Sequence, residues 1–285
     1  MSPDTAALLA LPALPELLRC SGSAQVAAIN VSRYRSDALL LAAGTITCVP
    51  LPWLSPAGMA SKITLLDAVL TRASTGAVIS EPSGPNSDLS GILEWLWDTI
   101  ACPVLDQLGY ADPAREPASV DRIWWMPTGA LCRLPLHAAG YHREGGGRTV
   151  LDRVVSSYTA TVRALGRGRD RAGAAEPAAG LLVASSEQAV SEHATRASQE
   201  TTRFRPILAD SAEPLHLTSA LQFSGCGQVV GALWELGDPA AFYRQVATGA
   251  GSSPARAVHA AVRGLRDDGC AGLPLAWAGY VHAGA

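Results

Sequence analysis

Charge is scarce in this chain. Of 285 residues only 16% are charged, 22 basic against 25 acidic, and the formal net charge is −3. A balance this close to neutral exerts no pull on nucleic acid or on an anionic membrane surface. The 48% of hydrophobic residues excludes a disordered acidic tail. Lysine is nearly missing: Lys62 stands alone among arginines, which with the abundance of Ala, Gly and Pro reads as GC-rich coding. No apolar stretch reaches the roughly 20 residues of a membrane helix. The run Leu8–Leu18 has no basic leader and is broken by Pro12 and Pro15, so a signal peptide is not expected. The six cysteines, Cys20, Cys48, Cys102, Cys132, Cys226 and Cys270, form no CxxC and no Cys/His cluster of zinc spacing. They read as free, buried thiols of a cytoplasmic protein that holds no metal or cofactor.

What is present is an alternation of strand-like and helix-like segments. Residues 1–22 read as a poorly ordered lead-in to a domain over 23–285. Gln25–Arg33, Asp37–Leu41 and Thr45–Val49 are spaced as an antiparallel meander, with turn chemistry at Ser36-Asp37 and Gly44. Pro56 opens a helix bearing Ile63, Leu66, Val69 and Leu70, and 80–89 reads as a loop. Ser90 then reads as the N-cap of a helix that Pro103 kinks or ends. These segments make an N-terminal part over 23–112. From 120 to 285 the pattern is α/β. Strands are expected at Asp121–Met126, Val150–Ser157, Leu181–Ala184, Val229–Trp234 and Ala276–Val281. Helices are expected from Thr159 to Gly166, over 214–225 and over 254–268, with a low-complexity loop over 166–180. The tryptophans Trp95 and Trp97 read as core packing.

Several blocks resemble the CHAT domain family, whose members are caspase-like. They are INVSRYRSDALLL (29–41), WLWDTIACPVLDQLG (95–109), RIWWMPTGALCRLPLHAAG (122–140), VLDRVVSSYTATVRAL (150–165), PLHLTSALQFSGCGQVVGALWEL (214–236) and WAGYVHAG (277–284). The resemblance implies a caspase-like layered α/β sandwich with a mostly parallel sheet, here preceded by the meander and its helices. It also implies, in active members, a cysteine endopeptidase. In that chemistry a thiolate attacks the peptide carbonyl, a His moves protons and backbone N–H groups hold the oxyanion. The two residues sit at the ends of neighbouring central strands, the His followed by Gly and the Cys in a motif like Ser-Ala-Cys-Glu-Thr.

This sequence departs from that pattern. The segment closest to the cysteine motif, Ala197 to Thr202, has Gln199 at the nucleophile position, and no His-Gly dipeptide occurs. His193 lies nearby without a preceding apolar strand. One βαβ unit needs roughly 30 residues, so the span 185–200 cannot hold the missing strands, and an internal loss near 185–212 is read. The polar run 187–203 cannot replace doubly buried strands, which leaves the sheet an unpaired edge or a rearranged neighbour and invites self-association. Other pairs can be drawn. Cys132 with His137 reads as packing, and Cys226 with His216 spans most of a helix. His259 reads as a boundary residue, His282 as the end of the last strand, and Asp267-Asp268 as a solvated pair. The expectation is a CHAT-domain protein without a working dyad that acts, if at all, by binding an unidentified protein. The alternative is a caspase-like endopeptidase whose dyad draws on Cys226, His216, Cys132 or His137.

Overall fold

A computed structural model describes residues 14–75, 82–113, 120–172, 180–184, 204–208, 228–234 and 253–285. The helix expected at 214–225, and His193, Gln199, His216 and Cys226, lie outside the described residues.

The lead-in is partly structured. Leu14–Ser21 forms helix α1, whose Leu17 and Cys20 pack on a small cluster with Val26, Leu41, Trp124 and Leu165. Then come β1 (Gln25–Asn30), β2 (Asp37–Ala42) and β3 (Thr45–Pro50), paired antiparallel as the meander spacing predicts. Pro56 stands in the first turn of α2 (Pro56–Ser74), and Ser55 accepts the Gly58 N–H at 3.0 Å as its cap.

Helix α3 (Pro85–Leu96) starts five residues before the expected cap. Gly84, at φ 58°, turns the chain, Pro85 supplies the first helical φ, and Ser90 instead bonds back to the Asn86 carbonyl at 2.9 Å. Pro103 does not stop the helix. A π turn over Trp97–Ala101 shifts the register, so that the Cys102 N–H reaches the Trp97 carbonyl. Helix α4 (Cys102–Gln107) then carries Pro103 in its first turn, where an N–H is not needed.

Strand β4 (Arg122–Pro127) sends its adjacent tryptophans to opposite faces of the sheet. Trp125 enters the main core and Trp124 the cluster under α1. The expected strand 150–157 divides. Thr149 accepts the Asp152 N–H at 3.1 Å and caps the short helix α5 (Val150–Arg153), and only Val155–Tyr158 forms β5. Helix α6 (Val162–Ala172) runs through Gly166 and Gly168 rather than ending at the first. The missing side chains let α1 and the chain end approach: a Cβ on Gly166 would sit 3.1 Å from the Cys20 sulfur, and one on Gly168 2.9 Å from the Ala285 Cβ. Thr161, not Thr159, caps it, bonding the Ala164 N–H at 3.0 Å.

Strand β6 is Gly180–Ala184 and β8 is Gln228–Ala232, close to expectation. Phe204–Leu208 adds a β7 that its arginine and proline had concealed. Helix α7 (Pro254–Leu265) continues through a π turn to Cys270, with Gly269 at φ 92°. The expected last strand begins as the short helix α8 (Pro274–Trp277), and β9 is Tyr280–Gly284.

The nine strands form one sheet in the order β3-β2-β1-β4-β5-β9-β8-β6-β7. The pairs β1/β4, β4/β5, β5/β9, β6/β7 and β6/β8 are parallel. Strands β6 and β8 are parallel to each other but oppose β4 and β5. The closing strand causes this, for β9 enters between β5 and β8 and pairs antiparallel with β8 over five residues. One face is buried by α1 and α6, the other by the core that α2, α3, α4, α7 and α8 share. Among the described residues, no helix is long and apolar enough to cross a membrane.

Candidate functional site

In the resembling family the reacting side chains project from the ends of central strands. Here the central strands are β5, β9 and β8, and three of them plus β4 meet in a buried polar cluster. Arg122 donates from Nε to the Ser157 hydroxyl at 2.7 Å. Ser157 lies 2.9 Å from His282 Nδ1 and is its donor, and His282 Nε2 donates to the Gln228 side-chain oxygen at 2.7 Å. The Gln228 amide donates to the Ala285 carbonyl. Arg122 Nη2 and Trp124 Nε1 both donate to the Gly284 carbonyl, at 2.9 and 2.8 Å, and the guanidinium stacks 4.2 Å above the Trp124 ring. The strand period puts these residues together. Arg122 and Trp124 alternate on one face of β4, and the register pairs Trp124 with Ser157.

The electrostatics keep the imidazole neutral. Burial, and then the Arg122 charge, hold His282 well below its ordinary range. Burial, with Arg169 and Arg256 nearby, pushes Arg122 down to about 9. Serine, histidine and glutamine in line resemble a nucleophile relay, but Ser157 is 0% exposed and His282 1%. A neutral amide also cannot stabilise an imidazolium as a carboxylate does. The cluster satisfies buried polar groups on four strands and fastens β9 between β5 and β8. Sequence reasoning placed His282 only as a strand end. The available signal was a polar residue within each apolar strand, Arg122 before Ile-Trp-Trp, Gln228 before Val-Val and His282 after Tyr-Val.

Cys132 and His137 follow β4 in two 3₁₀ turns, Gly129–Arg133 and Leu136–Ala138. The Cys132 thiol points at the Pro127 carbonyl, 3.3 Å away. His137 Nδ1 meets the Tyr158 hydroxyl at 2.9 Å, while Nε2 faces the Ala278 backbone without reaching hydrogen-bond geometry. Burial pushes His137 down to about 4 and the Tyr158 hydroxyl up. A neutral, buried histidine held through Nδ1 by Tyr158 packs in the core here.

Two more histidines share this environment. His142 Nε2 donates to the Ala138 carbonyl at 2.7 Å, its ring edge-on to Trp277 at 4.6 Å, and its Nδ1 is buried without a partner. His259 is half-buried, a boundary residue, with its Nε2 buried and unpartnered. Burial pushes both down to about 4. Beside them Arg266 grips Asp152 with bonds of 2.8 and 3.1 Å and takes Asp267 at 2.7 Å. Both members of the acidic pair are exposed, and Asp267 pairs with Arg266 as well.

The five described cysteines form no disulfide. Cys48 is exposed and the other four are half-buried, so none is the fully buried thiol expected. Burial and then Asp106 push the Cys102 thiol up, away from thiolate. Among the described residues, no group of three His, Cys, Asp or Glu side chains could hold a metal ion.

Residues 91–215 match the family model of the CHAT domain. The fold is similar to separase in two crystal structures of the Saccharomyces cerevisiae separase–securin complex. At 3.0 Å the TM-score is 0.58, with 10% identity over 100% of this chain. At 2.6 Å it is 0.56, with 9% identity over 95%. This chain spans 31% of each of those chains, and identity so low speaks for the fold alone. No curated protein matches its sequence. Residues 91–215 are thus similar to a CHAT domain, and the mostly parallel sheet flanked by helices has a fold similar to that of separase.

Proposed function

We propose that this CHAT-like domain works without peptidase chemistry, as a module that binds another protein. The observation that carries the reading is the identity of the residues at the strand ends. A caspase-like nucleophile must leave the end of a central strand with a base in hydrogen-bond reach. Here β5 ends on Tyr158, β9 on Gly284, β8 on Ala232 and β6 on Ala184. The register that fits the family motif reads Gln199, whose amide cannot form an acyl-enzyme. The separase structures of similar fold are complexes with a second protein, securin, which fits a binding role. The lack of a disulfide among the five described cysteines fits a reducing, cytoplasmic setting.

The test is to incubate the purified chain with a peptide library and with an acyloxymethyl ketone probe. No cleavage and no stoichiometric label is the expected result. Labelling of one cysteine, with cleavage lost when that cysteine is changed to Ala, overturns the reading in favour of an endopeptidase at Cys132 or Cys226.

A further inference from the structure

We propose that the β3 edge of the sheet is where two copies of this chain pair. Among the described residues, the large hydrophobic side chains left exposed are Leu14, Tyr34, Leu39, Ile46 and Trp53, the two aromatics 80% and 79% bare. Four fall between residues 34 and 53, around the meander, and Leu14 is on α1, which packs on β2. With aromatic side chains of about 150–250 Å² each, the five expose on the order of 500 Å².

The backbone at this edge is also open. Strand β3 ends the sheet and pairs only with β2. The Leu51 N–H donates to the Ser36 carbonyl at 2.9 Å, the rung that continues this ladder. Alternate residues bond to the same side, so Thr45, Thr47 and Val49 turn inward to β2. Ile46 and Cys48 turn N–H and C=O outward, and Pro50 offers only a carbonyl. Edge strands are ordinarily guarded by charge, yet residues 44–51 carry none. The nearest charges, Arg35 and Asp37, neutralise each other at 2.6 Å.

A second copy fits this edge because the edge is complementary to itself. Two β3 strands running antiparallel about a twofold axis at Thr47 place Ile46 opposite Cys48 of the second copy and Cys48 opposite its Ile46. Each pair exchanges two hydrogen bonds. Thr47 faces its own counterpart, a favourable cross-strand pair, and no like charges meet. Pairing along the edge sets the Ile46 and Cys48 side chains of both copies side by side on one face and buries less than the roughly 1,000 Å² of a specific interface. The dimer is therefore weak and concentration-dependent.

Sedimentation velocity of the full chain over a concentration series should give a monomer–dimer equilibrium. Ile46→Lys should raise its Kd about tenfold or more by placing charge on the edge, with an unchanged melting curve. In a Cys48→Ser background, Thr47→Cys should form an intermolecular disulfide under mild oxidation. Its Cα atoms would lie about 4.5 Å apart, within bridging range. Thr45→Cys, which faces Val49 of the second copy, should not. The proposal is overturned by a monomer at every concentration, by a dimer indifferent to Ile46→Lys, or by Thr45→Cys cross-linking as readily as Thr47→Cys. Pairing of copies does not depend on whether the chain cleaves peptides, and mass and thiol labelling can fail separately.

Discussion

Acid should unfold this protein earlier than its carboxylates alone would. His137, His142 and His259 are each pushed by burial to about 4 from an ordinary value near 6.5, and each has one buried ring nitrogen without a partner. The unfolded chain binds protons at these sites first. The stability the neutral rings contribute is whole above about pH 6.5 and is lost as pH falls from there towards 4. At about 1.4 kcal/mol per pH unit below the unfolded value, each histidine costs roughly 2 kcal/mol at pH 5. The three together cost on the order of 6 kcal/mol there, a large share of the roughly 5–15 kcal/mol that holds a domain folded. The sites are not independent. His137 and His142 repel each other when charged, and His142 and His259 both face Arg266 and Asp152, with Asp267 beside the first and Arg263 and Arg256 beside the second. His282, held low by burial and Arg122, adds a cost of the same sign. Asp152 acts in a lower window: its lowered value contributes stability that is lost only below the ordinary carboxylate range. Glu94, raised mainly by burial, opposes weakly by taking up a proton in the folded state. Urea titrations between pH 7.5 and 5 are the assay, with His142→Phe expected to flatten part of the slope. A folding free energy constant from pH 7 to pH 5 would refute the reasoning.

Other outcomes follow from the same packing. Asp152→Asn leaves Arg266, whose side chain is 8% exposed, with only the exposed Asp267 to offset its charge, and should cost about 1–3 kcal/mol in chemical denaturation. Gly140→Ala should be destabilising by roughly 3 kcal/mol or more. Gly140 sits at φ 146°, and a Cβ there would lie 2.5 Å from the Thr149 Cα, backbone that cannot give way. Ser157→Ala removes the acceptor of Arg122 and the donor to His282, at about 1–3 kcal/mol for each group left unsatisfied. Because Ser157 holds strands and does not react, the change should leave the response to a serine-directed fluorophosphonate probe as it was, with no label in either protein.

Local chemistry in the sequence determined much of the fold. The meander is written in its alternating apolar residues and in Ser36-Asp37 and Gly44, and helices α2 and α7 in Ser-Pro starts ahead of apolar residues at helical spacing. Each of these signals acts within a few residues, so it survives without knowledge of the rest. The proposed loss of the dyad rests on residue identity alone, on the reading of Gln199 at the nucleophile position and on the absence of a His-Gly dipeptide. Tertiary structure decided the rest. Helix α6 continues through two glycines because α1 and Ala285 come close enough to need them, and β5 begins late because Thr149 and Asp152 first close a helical turn against Arg266. Most of all, β9 lies between β5 and β8, where His282 joins Arg122 across 160 residues and Gln228 across 54. Periodicity can say that Tyr280–Gly284 is a strand, but the side chains that make its place in the sheet favourable are contributed by strands far away in the chain.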